Sequence, residues 1–382
     1  FAVVINLLIL GFFKYWGFFL DTISGITGLK LTYPQLALPI GLSFYTFKNL
    51  SYILDIYMGK TEPCKGFFPY AVYSTMFPHM TAGPIVRYTD ISESISRRSI
   101  NTTRLGAGAE LFIKGLSKKV LLADNLSALY TTLQASGTTS FVGTWLAIGA
   151  YTLELYFDFS GYSDMAIGLG QMLGFNFNKN FDYPYISTSV SEFWRRWHIS
   201  LGSWFRDYIY IPLGGNRVST GRHIRNILVV WALTGLWHGA SWNFVFWGVY
   251  YGLLLLAEKF LLGRFLEKAP VWLRNLYTMF AVIIGWVFFS QTTPAAIGKM
   301  LGAMFGLGAS CFADRASLYA LKSGLILMII SVISCRPGLY QYFKRLARRN
   351  TYLAAVINAI LFFLCIAYMI YSSYTPFMYQ QF

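Results

Sequence analysis

Long apolar stretches alternate with short basic ones along this chain. A helix needs about 20 mostly apolar residues to cross a bilayer. Five runs meet that need: 225–239, 242–262, 273–290, 318–334 and 352–371. Four weaker runs, interrupted by Pro or Lys, cover 1–20, 36–57, 66–83 and 105–123. The run from Phe141 to Gly174 is also apolar, yet it carries Glu154, Asp158 and Asp164, with a break expected at Gly161. The pattern predicts an all-α, polytopic membrane protein forming a single domain over 1–382. No repeat of about 20–50 residues is visible. The chain opens inside an apolar run at Phe1, so further helices are expected before it.

The basic residues set an orientation. Segments 195–225, 259–274 and 336–349 are rich in Lys and Arg, whereas 291–316 and the tail after Tyr371 are nearly free of them. The positive-inside rule predicts a cytoplasmic side for the first three and an outer side for the last two. The segment SEFWRRWHISLGSWFRDYIYIPLGG (191–215) is neither a span nor an ordinary loop. Its interleaved Trp and Arg suit the headgroup region, and it predicts an interfacial or re-entrant helix in the cytoplasmic half, ending at the Gly-Gly-Asn turn of 214–216.

Composition narrows the class. Of 382 residues, 55% are hydrophobic, 19% aromatic and only 12% charged. That is about half the usual charged share of a soluble domain, which excludes an ordinary cytosolic enzyme and a disordered chain. The net charge is +15, from 31 Lys+Arg against 16 Asp+Glu. These cations sit between apolar runs and suit anionic lipid, so the bilayer is the expected partner and nucleic acid is not. Cys64, Cys311, Cys335 and Cys365 form no CxxC, and no disulfide is predicted.

Few residues can carry chemistry. His238 closes the run LVVWALTGLWH. An ionisable group inside a membrane segment is a candidate functional site. A neutral imidazole can take a proton from a hydroxyl or thiol, but a buried histidine bonded to a backbone carbonyl fits the pattern equally. His198 lies in the Arg-Trp crowd, where an interfacial packing role competes with a catalytic one. His79 stands between Pro78 and Pro84, where a broken helix can line a cavity. His223 lies in a basic loop and is expected to be solvated. Glu154 and Asp158 share one helix face, as an ion path or as partners of nearby Arg, Ser or Tyr. No metal-ligand spacing, phosphate-binding glycine loop or nucleophile elbow is present. The ending PFMYQQF reads as an aromatic belt.

Three strings carry a resemblance: YFDFSGYSDMAIGLG (156–170), SEFWRRWHISLGSWFRDYIYIPLGGNR (191–217) and LWHGASWNFVFWG (236–248). With FPHMTAGPIVRY (77–88), they resemble the membrane-bound O-acyltransferase (MBOAT) family. The nearest branch holds alginate and peptidoglycan O-acetyltransferases, related to teichoic acid D-alanyl transfer proteins. The resemblance covers essentially the whole chain. It implies a helical bundle with a funnel on each face, joined by a tunnel. It also implies transfer of an acyl group, acetyl by preference, from a cytoplasmic donor to an extracellular or cell-wall polysaccharide. Acetyl-CoA is the expected donor, with no metal. The family's signature histidine maps to His238 and its second histidine to His198, with Trp237 and Trp242 packed near His238. His79, Trp197, Arg195, Arg196 and Asp158 are expected along the tunnel or substrate path. The ending resembles an F-x-Y-x-x-F motif of this branch, in which Tyr379 holds the acyl group as an ester, anchored by Phe377 and Phe382. A secreted or membrane-anchored SGNH-type acyltransferase is then the expected partner. The expected location is a bacterial plasma membrane, with the C-terminus outside. Two other functions compete: D-alanyl transfer from a carrier protein, and ion-coupled transport through Glu154, Asp158 and Asp164.

Overall fold

The computed structural model describes residues 1–34, 36–371 and 376–377. Helices account for the secondary structure, with no strand among the described residues. From the N-terminus, α1 (Ala2–Thr27) and α2 (Leu42–Tyr57) lead to a broken stretch. Helix α3 (Thr102–Ser117) continues through a π-helical turn, Lys118–Ala123, into α4 (Asp124–Ala135) as one rod. The chain then turns back through α5 (Phe141–Met172). Two short helices follow, α6 (Val190–Arg196) and α7 (Ile199–Phe205). The last part comprises α8 (Thr220–His238), α9 (Trp242–Lys268), α10 (Val271–Ser290), α11 (Arg315–Ser334), α12 (Pro337–Arg349) and α13 (Thr351–Tyr371). Among the described residues, α1, α9, α10, α11 and α13 are long and apolar enough to span a membrane.

Three expectations change. The stretch 66–83 is not one helix: it stops at Thr75, makes a 3-10 turn at Phe77–His79 and continues extended. Pro78 and Pro84 remove helical hydrogen bonds there. The segment 191–212 is not one helix either, because Trp197 is extended and His198 is left-handed, at φ 44° and ψ 55°. Finally, α5 runs straight through Gly161.

Glycine at 161 serves close approach, not a break. A Cβ on Gly161 would lie 2.8 Å from the Gly115 carbonyl oxygen, and one on Gly115 would lie 2.5 Å from that of Gly161. Two turns on, Gly108 and Gly168 repeat the arrangement at 2.6 Å each way. Small residues at such spacing let helix backbones touch, the packing mode of membrane interiors. The rod α3–α4 thus lies flush on α5, which is buried without interruption from Ala150 to Gly161. Helix α13 runs along the same rod, with Cys365 Sγ 3.7 Å from Ser117 Oγ. At the far end the 311–314 loop joins the start of α5, through Phe141 N donating to Cys311 O (3.0 Å) and Val142 N to Phe312 O (3.0 Å). Asp314 caps α11, accepting from Ser317 N at 2.8 Å and from the Thr138 hydroxyl. The Thr138 bond holds the Asp314 carboxyl below the usual carboxylate range. All four cysteines are free.

The glycine contact gives a first test. Gly115→Leu or Gly168→Leu should lower the melting temperature in detergent, by about 1–3 kcal/mol of overpacking or more. Gly106→Ala lies on the same helix with nothing within 4 Å of the new Cβ, and should be neutral or slightly stabilising. Equal behaviour of the two sets would refute the close contact.

Candidate active site

His238 is the last residue of α8, and its position follows from how that helix ends. The final carbonyls of a helix lack internal partners. Two side chains of α1 supply them: Lys14 Nζ donates to Trp237 O at 2.6 Å, and Tyr15 OH to Leu236 O at 2.7 Å. A cation at a helix C-terminus also opposes the negative end of the dipole. Lys14 Nζ donates further to Ser43 Oγ at 3.0 Å, tying α2 to the same point. Around His238 lie the rings of Trp237, Trp247 and Phe289, with centroids at 5.0, 4.9 and 5.2 Å. The histidine is buried.

His198 is held differently. Among the described residues, only it and Tyr183 have positive φ without being glycine. Such a conformation costs about 1–3 kcal/mol and persists where the surroundings enforce it. Asn180 is the enforcer. Its backbone carbonyl accepts from Ile199 N (2.9 Å), and its Oδ1 accepts from Ser200 N (3.2 Å) and Ser200 Oγ (2.9 Å). The same Oδ1 lies 3.3 Å from His198 Nδ1, and Asn180 Nδ2 donates to Ser163 Oγ on α5 (3.1 Å). The imidazole meets the Phe159 ring edge-on at 4.7 Å and that of Trp237 at 5.7 Å.

Both histidines line one cavity of about 330 Å³, together with Trp197, Arg195, Arg206 and Tyr210. Beside Arg206, Asp207 is gripped by that guanidinium at 2.7 Å and by Arg87 at 2.8 Å. Burial raises the Asp207 carboxyl, but those bonds outweigh it and leave it below the usual carboxylate range. Two guanidinium groups, Arg195 and Arg206, thus line the cavity, and Asp207 holds the second. The turn after His238, Ala240–Trp242, lines a second cavity of about 760 Å³, bounded by α1. A buried imidazole pair between two cavities can accept a proton from a hydroxyl while a polarised carbonyl lies alongside.

Several predicted site residues fall elsewhere. Trp242 does not pack on His238. It begins α9, is 47% exposed, and turns its ring to Phe18 (5.6 Å) and Phe246 (6.1 Å). His79 lines neither histidine-side cavity. It is fully buried, with Lys48 Nζ 3.2 Å from its Nδ1 and Phe177 edge-on at 4.9 Å. Arg196 points away from the histidines to Glu192 (2.8 Å) and the Asp182 carbonyl (3.1 Å). Trp197, by contrast, stays at the histidine cavity, stacked on Phe193 and Tyr185. His223 is buried and bonded to Tyr210 OH at 3.0 Å, where solvation was expected.

Asp158 accepts from Lys119 Nζ at 2.7 Å, and Lys119 also binds Asp124 at 2.8 Å. The tail reaches this cluster: Lys119 Nζ donates to Pro376 O at 3.4 Å and lies 4.7 Å from the Phe377 ring centre. Phe377 also meets the Tyr162 ring edge-on at 4.9 Å. Tyr162 and Phe159 stand within one turn of α5, so Phe377 docks one helical turn from the ring that touches His198. Tyr379 and Phe382 lie outside the described residues. Sequence reasoning missed Lys14, Lys119 and Asn180. The only signal for Asn180 was a polar side chain amid aromatics in FNFNKNFDYPY.

Comparison with known proteins places the chain. The profile of the MBOAT, membrane-bound O-acyltransferase family, matches residues 65–295. A protein of Azotobacter vinelandii named "Probable alginate O-acetylase AlgI" is 41% identical over 353 residues, covering 90% of this chain and 70% of that protein. Its namesake in Pseudomonas aeruginosa is 41% identical over 352 residues, with 90% and 67% coverage. A "Peptidoglycan O-acetyltransferase" of Helicobacter pylori is 33% identical over 337 residues, with 80% and 64% coverage. The chain belongs to the membrane-bound O-acyltransferase family and is an acyltransferase.

Asn180 tests the geometry of this site. Asn180→Ala removes the side-chain acceptor shared by Ser200 N, Ser200 Oγ and His198 Nδ1, while the backbone carbonyl that accepts from Ile199 N remains. Acyl transfer should fall by up to about 10²-fold, the cost of a misplacement of about 1 Å. Asn180→Asp, which keeps the acceptor, should lose less. Radiolabel transfer by matched amounts of folded protein checks the order.

Proposed function

We propose that this member of the MBOAT family moves an acetyl group from a cytoplasmic donor, acetyl-CoA, to Tyr379. A secreted or membrane-anchored SGNH-type transferase then passes it to hydroxyls of an extracellular or cell-wall polysaccharide. The names of the relatives support acetyl as the group and a polysaccharide as the acceptor. The observation that carries the reading is the convergence of two parts. His198 and His238 share a cavity that Arg195 and Arg206 also line, and the C-terminal tail docks by Phe377 on Tyr162, one turn of α5 from the Phe159 ring that meets His198.

The chemistry follows from the groups. A phenol has an unperturbed pKa of about 10, so it attacks a thioester only if a base takes its proton. His238 is that base. The Tyr379 oxygen bonds to the acetyl carbon, the carbon–sulfur bond breaks, and the proton held by His238 passes to the departing thiolate. His198, Arg195 and Arg206 orient the donor. The tyrosyl ester leaves more readily than an alkyl ester because phenolate is the better leaving group. It can therefore drive a second transfer where no coenzyme A is present. The carboxylates fit this reading better than ion transport. Asp158 is paired with Lys119, and Asp164 with Lys114 and Lys118 at 3.1 and 2.8 Å, so of the three carboxylates of an ion path only Glu154 makes no ion pair among the described residues. D-alanyl transfer from a carrier protein uses the same residues and is separated by the donor.

His238→Ala should cost about 10²–10⁴-fold in transfer from radiolabelled acetyl-CoA, the worth of a general base. His198→Ala should cost less. Tyr379→Phe should abolish the covalent label. Mass spectrometry should find one acetyl group on the C-terminal peptide of wild type and none in His238→Ala. Full labelling of a folded His238→Ala protein, or of Tyr379→Phe, would overturn the mechanism. Labelling of Ser373→Cys in a Cys311→Ser background, in intact cells and by a membrane-impermeant thiol reagent, reports an outer C-terminus; labelling only after permeabilisation would reverse the orientation.

A further inference from the structure

The protein has a cavity larger than the one that holds the histidines. It occupies about 940 Å³ between the α3–α5 pair and the α12–α13 pair, and none of its lining residues lines the histidine cavity. Six cations face it: Lys114, Lys118, Lys179, Arg196, Arg336 and Lys344. Only Glu110, Asp164 and Asp182 oppose them. Asp182 is already occupied by Lys179 at 2.6 Å and Arg196 at 3.6 Å. Deeper in, Asp164 is shared by two ammonium groups, Lys118 at 2.8 Å and Lys114 at 3.1 Å, with side chains only 16% and 27% exposed. Ser160 Oγ, 3.2 Å from Lys118, and the Tyr340 ring, 4.3 Å from Lys114, add neutral contacts. One carboxylate for two half-buried cations leaves a surplus positive charge in the wall, and charge drawn out of water is costly without a counter-ion. The rest of the wall is apolar: Leu121 and Leu122 from the rod, Ile357 and Leu361 from α13. Helix α12 closes the cavity on the basic face, with Lys344 lining it and Arg345, Arg348 and Arg349 on the same helix.

We propose that this cavity binds an anionic phospholipid of the leaflet on the basic face. The headgroup phosphate, a single negative charge with acceptor oxygens, takes hydrogen bonds from Lys114 and Lys118 and neutralises the surplus. Lys344 meets it from α12. The acyl chains run along Leu121, Ile357 and Leu361 toward the bilayer core. The charge selects an anionic lipid over a zwitterionic one, and the apolar wall selects a lipid over a free phosphate. The bound lipid would wedge α12 and α13 against the rod, and so brace the helix from which the tail departs.

Native mass spectrometry of the purified full chain, delipidated in neutral detergent, tests the site. Dioleoyl-phosphatidylglycerol and dioleoyl-phosphatidylcholine are the probes. Wild type should retain one phosphatidylglycerol about tenfold more tightly than phosphatidylcholine, because both carry the phosphate but only phosphatidylcholine sets a choline cation against the surplus positive charge. The triple variant Lys114→Gln, Lys118→Gln, Asp164→Asn strands no charge and should lose that preference. Ala354→Trp fills the chain-binding wall, keeps every charge, and should lose phosphatidylglycerol while eluting as a folded monodisperse protein. If the triple variant fails to fold, Ala354→Trp decides alone. Equal affinity of wild type for the two lipids, or an unchanged preference in Ala354→Trp, would overturn the site. Displacement of phosphatidylglycerol by acetyl-CoA would overturn it in favour of a donor site, and inorganic phosphate competing as well as the lipid would make it a phosphate site.

Discussion

The contact of α3 with α5 at Gly108, Gly115, Gly161 and Gly168 is the constraint on which the rest depends. Each glycine leaves room for the opposite carbonyl, so two helix backbones lie closer than any side chain would permit. That approach brings the ammonium groups of Lys114, Lys118 and Lys119 to the carboxylates of α5, at 2.7–3.1 Å. Longer separations would leave those charges unpaired in an apolar interior, where each costs several kcal/mol. The same ion pairs form two surfaces. One receives Pro376 and Phe377, and the other is the wall of the 940 Å³ cavity.

The two histidines illustrate opposite ways of fixing a side chain. His238 is placed by the end of a helix whose open carbonyls are met from another helix, so its position depends on α1 as much as on α8. His198 is placed by a local backbone irregularity that Asn180 sustains through four contacts. A helix running unbroken through 191–205 would have turned the imbalance of Trp and Arg toward the interface. The break instead points a histidine at Trp237 and delivers Arg195 and Arg206 to the same cavity.

Apolar runs and basic loops were enough to read the helical membrane class, most spans, and the motif histidines. Contacts distant in sequence were not readable. Lys14 looked like an interruption of the first span, because nothing in its neighbourhood names Trp237 as its partner. Gly161 looked like a break because glycine lowers helix propensity, and propensity yields when a neighbouring helix occupies the space. Trp242 was expected near His238 from the motif LWHGASWNFVFWG that both share, but a sharp turn between two helices sends the two rings apart. His223 sits in a basic string, yet Tyr210 and Lys259 come from elsewhere to enclose it. Asp158 was legible as a charge that needs a partner, though not that Lys119 would be the partner or that the tail would join them.

The ion pairs between the rod and α5 have a consequence for how the protein enters its membrane. Each Lys or Asp at the middle of a segment opposes translocon-driven insertion by about 2.5–3.5 kcal/mol. The rod carries Lys114, Lys118 and Lys119, and α5 carries Glu154, Asp158 and Asp164. Neither partitions well into lipid by itself. Residues 136–140 join them by a short turn, so the two emerge from the ribosome in succession and can neutralise each other before leaving the translocon. Biogenesis thus has a cooperative unit, a helical hairpin of opposite charges, whose halves are poor inserters and whose sum is a good one.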